Sequence, residues 1–449
     1  MVDAKHVVLR PSLLLWVICA SLAFTTSSAT LAGNEEDAAQ TTANDEWNDD
    51  WGDDEEDDLA AGLQWTGFAE AAYGLRGDSE PQRSTLAEAR VRTETEWLQD
   101  AFTIGFKGDI NADEVDERVD LDLRELNLKF TLAEKLDIKL GRQVLTWGTG
   151  DLLFLNDLFP KDFVSFFAGR DDEYLKAPST AVRLTWYGAA FNTDFVWSPE
   201  FESDNFLDGE RFSFFVPAAG DIIAPDPKLN PDEPSRSLNN GELALRLFKR
   251  RQSVEYALYA YRGFFKQPNA VNNAGVATFA PLNVYGLSAR GPLSLGVFSS
   301  EFAWYDSRHD RDGDDPRIPN SQARLLLGYE QELVTNFTGG VQVYTEWTQH
   351  HGALRANSAM PDFEAERWRS LLTLRLTYRT RRDTINYSLF AFLSPTDEDY
   401  HLRPNIEFRL SDAWNFSVGA NLFGGSDQHT FFGQLEDNSN FYLRLRRYY

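Results

Sequence analysis

From residue 62 to the C-terminus, apolar and polar side chains alternate with a period of two, as they do in a strand whose two faces meet different surroundings. Residues 86–97 (LAEARVRTETEW) set Glu88, Arg90, Arg92, Glu94 and Glu96 on one face. Ala87, Ala89, Val91, Thr93, Thr95 and Trp97 occupy the other. Residues 126–132 oppose Leu126, Leu128, Phe130 and Leu132 to Asn127, Lys129 and Thr131. Residues 412–424 set Trp414, Phe416, Val418, Ala420 and Leu422 against Asn415, Ser417, Gly419 and Asn421. One such segment would suit a soluble sandwich equally well. Length separates the two: there are about eighteen candidates, mostly of roughly 10–16 residues, where globular strands average about five or six and tilted membrane strands need about 9–11.

The candidates lie near 62–76, 83–99, 101–112, 120–132, 134–146, 178–187, 189–198, 239–249 and 251–263. The others lie near 280–290, 293–307, 321–331, 333–349, 366–381, 383–394, 400–410, 413–424 and 438–449. Short turns are expected at Gln99–Asp100, Ala133–Glu134, Gly188, Arg250–Arg251, Gly291–Pro292, Glu332–Leu333, Arg382–Asp383 and Ser411–Asp412. Between them fall longer links, of which 147–177 and 199–238 are the largest. Strict short–long alternation belongs to an all-β, antiparallel up-and-down barrel that crosses an outer membrane, with tight periplasmic turns and long outer loops. The expectation is therefore one barrel of 16–18 strands over residues 60–449, with both termini in the periplasm. Trp97, Trp186 and Trp414 flank short turns, while Trp147, Trp197, Trp304, Trp347 and Trp368 sit towards long loops, as two interfacial girdles require.

The N-terminus reads as a secretory signal over residues 1–32. Lys5 and Arg10 precede an apolar core at 12–24, too short to span a bilayer as a helix, and small residues follow. The only cysteine, Cys19, lies inside that signal, so the exported chain would have no disulfide and would stabilise itself by closing its sheet. No later run approaches 18 uninterrupted apolar residues, which excludes a helical membrane protein. Residues 34–58 hold 13 Asp or Glu and no Lys or Arg. Such a run cannot bury a core, so 33–59 is expected as a disordered periplasmic extension: a solvated spacer, a docking tail for a basic partner, or a cation-gathering segment. A net charge of −27 argues against nucleic acid as a partner.

About eighteen strands enclose a lumen too wide for strand side chains to fill. The polar faces supply its lining, with Glu88, Arg90, Arg92, Glu94, Arg369, Arg375, Arg379, Arg444 and Arg446 as the candidate pore-lining set. These charges either act on passing solutes or pair with one another and stiffen the wall. Link 147–177 is rich in Leu and Phe, with Trp147, Asp151, Asp157, Pro160 and Asp162 among them. An apolar segment of that size should not stand in water, so folding into the lumen or capping it, as a constriction or a greasy binding surface, is favoured over packing on a neighbouring protomer. The chain ends NFYLRLRRYY, an amphipathic strand closing on Tyr449, which looks like the signal that barrel assembly machinery reads.

LRELNLKF (123–130), LDIKLGRQVLTWG (136–148) and FLNDLFPKDF (154–163) resemble a pattern in porin-like outer-membrane barrels. These include alginate-export-type channels and a large uncharacterised barrel family encoded beside exporters of hydrophobic compounds. Gly141, Arg142, Gln143, Trp147 and Gly148 match; Phe159 replaces the asparagine before Pro160, and Asp162 keeps its place. The resemblance covers about 40 residues. It implies a channel for lipidic or polymeric cargo, with an exporter component of the periplasm or inner membrane as a partner, and leaves the substrate open.

Catalysis is not expected. His309, His350, His351, His401 and His429 lie in or beside outer loops, and no Gly-x-Ser-x-Gly occurs. Adjacent histidines on a strand point apart, and residues 310–315 (DRDGDD) begin like a calcium loop but have no glycine at its sixth position and no glutamate at its twelfth. No metal or cofactor is expected. The reading is an outer-membrane channel or export conduit; the alternative is an adhesin or receptor acting through loops such as the proline-punctuated 199–238.

Overall fold

The structure is a computed structural model that describes residues 63–380 and 382–449. The expected signal and acidic extension, with Cys19, lie outside the described residues. The strands are β1 (Gln64–Arg76), β2 (Ser84–Gln99), β3 (Phe102–Asp113), β4 (Arg118–Leu132), β5 (Leu136–Val144), β6 (Pro178–Tyr187), β7 (Asn192–Ser198), β8 (Glu242–Arg251) and β9 (Val254–Phe264). They continue as β10 (Pro281–Leu293), β11 (Gly296–Ser307), β12 (Gln322–Val334), β13 (Phe337–Thr348), β14 (Trp368–Arg379), β15 (Ile385–Ser394), β16 (Asp399–Ser411), β17 (Trp414–Gly425) and β18 (Asn440–Tyr448). Each pairs antiparallel with its neighbours in the chain, and β1 pairs with β18 from Phe68↔Tyr448 to Arg76↔Asn440, closing an 18-stranded barrel. Closure leaves no unpaired edge, the condition for a sheet in lipid.

Each expected strand has its counterpart, but several turns sit further along the chain. Arg250–Arg251, Gly291–Pro292 and Glu332–Leu333 are inside strands, and the chain reverses at 252–253, 294–295 and 335–336. Gln252, Ser253, Ser294 and Asn336 take positive φ there, as do Ala133 and Glu134. Tight hairpin turns need that backbone, usually on Gly or Asn. Asn336 fits that rule, but Gln252, Ser253 and Ser294 do not, so residue type alone does not mark these reversals.

Alternation sorts the faces as the barrel requires. Leu121, Leu327 and Val343 point outward, while Glu88, Arg92 and Asp109 point inward and are almost fully buried. Trp65, Trp97 and Trp186 stand exposed near the short-turn end, and Trp347 stacks on Trp368 near the other, with ring centroids 5.4 Å apart. Trp147 departs from that expectation. It turns into the lumen against Phe159 and Tyr259. The main hydrophobic cluster lies inside the barrel, formed by residues of 145–175 packed on inward-facing residues such as Leu282, Leu326 and Leu371. Leu327→Arg, at mid-strand on the outer face, is expected to cost about 2–4 kcal/mol in lipid. A urea titration of the barrel in bilayers measures it; an unchanged midpoint would mean that this face does not meet hydrocarbon.

Candidate functional site

Val144 and Pro178 are direct partners across β5 and β6, yet residues 145–177 lie between them in sequence. That segment runs into the lumen. Gly141, just before it, has φ +116, and a Cβ there would stand 2.3 Å from the Leu126 carbonyl oxygen, which only glycine tolerates. The first half docks on the far wall. The Thr149 and Gly150 amides donate to Glu301 Oε1, the latter at 2.7 Å, and Asn156 Nδ2 donates to Glu301 Oε2 at 2.7 Å. Tyr305 donates to the Leu155 carbonyl at 2.7 Å, and Asp151 pairs with Arg375 at 2.5 Å.

The second half crosses back. Asp157 accepts from Thr146 and pairs with Lys161 at 2.9 Å, and the Pro160 carbonyl accepts from the Ala177 amide at 3.1 Å. Asp162 caps the short helix α1 (Phe163–Ala168), accepting from Ser165 N and Oγ at 2.7 Å. Gly169 ends it with φ +86, where a Cβ would lie 2.2 Å from the Tyr442 ring. Then come four charges, each met from the wall. Arg170 pairs with Glu88 at 2.8 Å and Asp113 at 3.0 Å. Asp171 pairs with Arg446 at 3.1 Å and Arg444 at 3.2 Å, Asp172 with Arg403 at 2.6 Å, and Glu173 with Arg92 at 2.5 Å. Tyr174 donates to Asp109 at 2.8 Å while the Arg90, Arg92 and Arg124 guanidiniums lie 4.2, 4.9 and 4.7 Å from its ring centroid. Charge-assisted contacts on opposite walls fix the segment's position; buried pairs of this kind add less to net stability, because desolvation offsets the attraction.

The candidate lining residues thus fall into different surroundings. Glu88, Arg90, Arg92, Arg375, Arg444 and Arg446 meet the inserted segment, directly or through shared partners. Arg446 also pairs with Glu70 across the closing seam at 2.8 Å. Glu94 pairs with Lys107 at 3.2 Å and Arg369 with Asp397 at 2.7 Å, both away from that segment. Arg379 lies at the short-turn end, opposite Asn386. Sequence reasoning missed Arg124, Arg170, Glu301 and Arg403 as anchors. Arg170 carried a signal, since a lone arginine in an apolar segment bound for the interior needs a buried carboxylate.

The segment separates two recesses. The one towards the long loops, about 310 Å³, is walled mainly by aromatic and leucine side chains. The one towards the short turns, about 90 Å³, is lined by Asp151, Arg290, Glu330, Gln342 and Arg375 among others. At the outer side, loop residue Asp204 accepts from the Lys161 amide and from Gln267 Nε2, both at 2.7 Å. Burial pushes its carboxyl up to about 6, against the pull of Lys161. Because the folded-state value lies above the unfolded one of about 4, its contribution to stability is complete below pH 4 and is lost as pH rises through about 6. Asp204→Asn, a mimic of the protonated acid, is therefore expected to raise stability at pH 8 by about 1–2 kcal/mol and to leave it unchanged at pH 4. Thermal unfolding of both proteins at the two pH values tests this, and an equal shift at both would exclude titration as the cause.

Among the described residues the histidines show no shared site. His401 is fully buried inside the outer end of β16, stacked on Phe423 at 4.2 Å, with Nε2 3.1 Å from Asn421 Oδ1. In the acidic loop, the Asp310 carboxylate accepts from the Asp314 and Asp315 amides, organising a turn.

No family model matches the sequence, and no curated protein does. Solved structures align with most of the chain at low identity. OccAB1 of Acinetobacter baumannii aligns with TM-score 0.48 and 10% identity, over 86% of this chain and 96% of that one. A Rhodopseudomonas blastica porin mutant gives 0.42 and 10%, over 86% and 100%. A loop-deletion mutant of OmpT, an outer membrane protein of Vibrio cholerae, gives 0.38 and 9%, over 87% and 100%.

Proposed function

We propose that this chain is an outer-membrane channel for passive movement of a solute, with residues 145–177 forming its narrowest part. The supporting observation is that segment itself: it crosses a charged lumen inside a closed barrel whose outer face is apolar, and strand-borne ion pairs hold it on both walls. Both described ends lie at the short-turn end, so in this reading that end faces the periplasm, where an exporter component would dock. Lipid surrounds the barrel, and β18 is the strand offered to the assembly machinery. The resemblance of 123–163 to alginate-export-type barrels supports cargo that is hydrophobic or polymeric.

Because Val144 and Pro178 are already adjacent, a short turn can replace 146–176 without altering the wall. In planar bilayers the intact protein should give small discrete currents, and the shortened one a conductance about tenfold larger, as an unobstructed lumen of this strand number allows. No current from either protein would overturn the channel reading and leave the outer loops as the functional part.

A further inference from the structure

The recess on the long-loop side of the inserted segment has a composition that selects a ligand. Phe166, Phe392, Phe432, Tyr305 and Tyr344 contribute to its wall, and Leu371 on β14 lines it from the barrel side. Its cations are all engaged within the protein. Lys161 pairs with Asp157 at 2.9 Å, Lys266 with Glu242 at 2.5 Å, Arg324 with Glu346 at 3.3 Å and Arg369 with Asp397 at 2.7 Å. Asp204, the remaining lining acid, is held by an amide and a glutamine. The two tyrosine hydroxyls are also occupied, Tyr305 by the Leu155 carbonyl and Tyr344 by Glu346 at 2.6 Å. A charged guest would have to compete with these ion pairs, and a sugar-like one would find few free polar atoms, Arg369 Nη2 among them, to replace its own hydration. An apolar ring would lose nothing, and it gains edge-to-face contacts with the aromatic wall.

Size narrows the class. A protein cavity of about 150 Å³ takes up benzene. This recess measures about 310 Å³, roughly room for two rings. We infer that the outer recess is a binding site for an uncharged two-ring apolar molecule, which waits there before or after passing the inserted segment. The passage rests on the channel reading above; the binding does not.

The full-length barrel in lipid nanodiscs is titrated calorimetrically with 1-naphthol, 1-naphthoate, 1-decanol and glucose, with empty nanodiscs subtracted. The expected result is saturable binding of one 1-naphthol per barrel, at least tenfold tighter than the naphthoate anion or decanol, and no binding of glucose. Leu371→Trp, which fills the recess, should weaken naphthol binding at least tenfold. Phe432→Ala, a truncation on an outer loop whose ring packs on Phe392 and His401, should weaken it severalfold and, since it removes volume where the first variant adds it, guards against a folding defect in the first variant. Naphthol uptake no greater than in empty nanodiscs would overturn the proposal. So would tighter binding of decanol or naphthoate, or undiminished binding in both variants. Ion current in planar bilayers is recorded separately: binding without current would refute the channel and keep the site, and current without binding would do the reverse.

Discussion

In the proposed channel, replacing Asp171, Asp172 and Glu173 together by Asn, Asn and Gln should turn conduction towards anions and raise it severalfold. The three carboxylates meet Arg444 and Arg446, Arg403, and Arg92, respectively. Neutralising them leaves a row of guanidiniums without that counter-charge, in a lumen where image and desolvation effects magnify fixed charge. It also removes the anchors of the segment's second half, each a charge-assisted contact contributing on the order of 1.5–3 kcal/mol. The three carboxylates are partly exposed, so losing each costs less than the about 3–5 kcal/mol of a fully buried pair, and the segment is expected to leave the wall before the barrel unfolds. The reversal potential in a KCl gradient reads the selectivity, and the step size reads the conductance. The shift should shrink at 1 M salt, where the Debye length falls to about 3 Å. Asp412→Asn, on a short turn with its side chain fully exposed, serves as the control and should change neither. An unchanged reversal potential in the triple variant would place the arginine wall outside the ion path.

How much of this could be read beforehand depends on the range of the interaction. Strand number and facing followed from local alternation, because Leu126 and Asn127, or Arg92 and Val91, differ in polarity wherever the sheet separates lipid from lumen. The inward path of 145–177 followed from composition, since its leucines and phenylalanines needed cover. What stayed hidden was which wall each half would meet. Arg170 finds Glu88 82 residues away, Thr149 finds Glu301 152 away, and Arg444 finds Asp171 273 away. Periodicity carries no information about such pairs; barrel closure and the register of eighteen strands decide them. Three turn positions failed for a different reason: the strands run on past Arg250–Arg251, Gly291–Pro292 and Glu332–Leu333. Gln252–Ser253 takes left-handed backbone without glycine, held there by the ladders on either side, whereas Ala133–Glu134 turns where expected. Trp147 fits two expectations, girdle and inserted segment, and the pull of Phe159 and Tyr259 decides between them.

Deleting residues 440–449 is expected to abolish the folded barrel altogether. Its loss would strip β1 of its partners from Phe68 to Arg76 and expose the far edge of β17 as well. Each backbone group left unpaired in hydrocarbon costs several kcal/mol, and a row of them exceeds the about 5–15 kcal/mol that holds a typical domain folded. The deletion should therefore yield no folded, heat-modifiable band after refolding into lipid vesicles. Removing Tyr449 alone separates closure from recognition. It takes away the paired contacts between the Tyr449 and Gly67 backbones, and the 2.6 Å bond from its hydroxyl to the Arg92 carbonyl. That should lower stability in vitro by only about 1–3 kcal/mol. If the terminal aromatic is also what the assembly machinery grips, the same variant should fold in vesicles at nearly the normal rate and yet accumulate poorly in cells. Equal defects in both settings would reduce Tyr449 to a seam residue. A barrel lacking β18 that still folded and melted normally would mean that the wall does not depend on its seam.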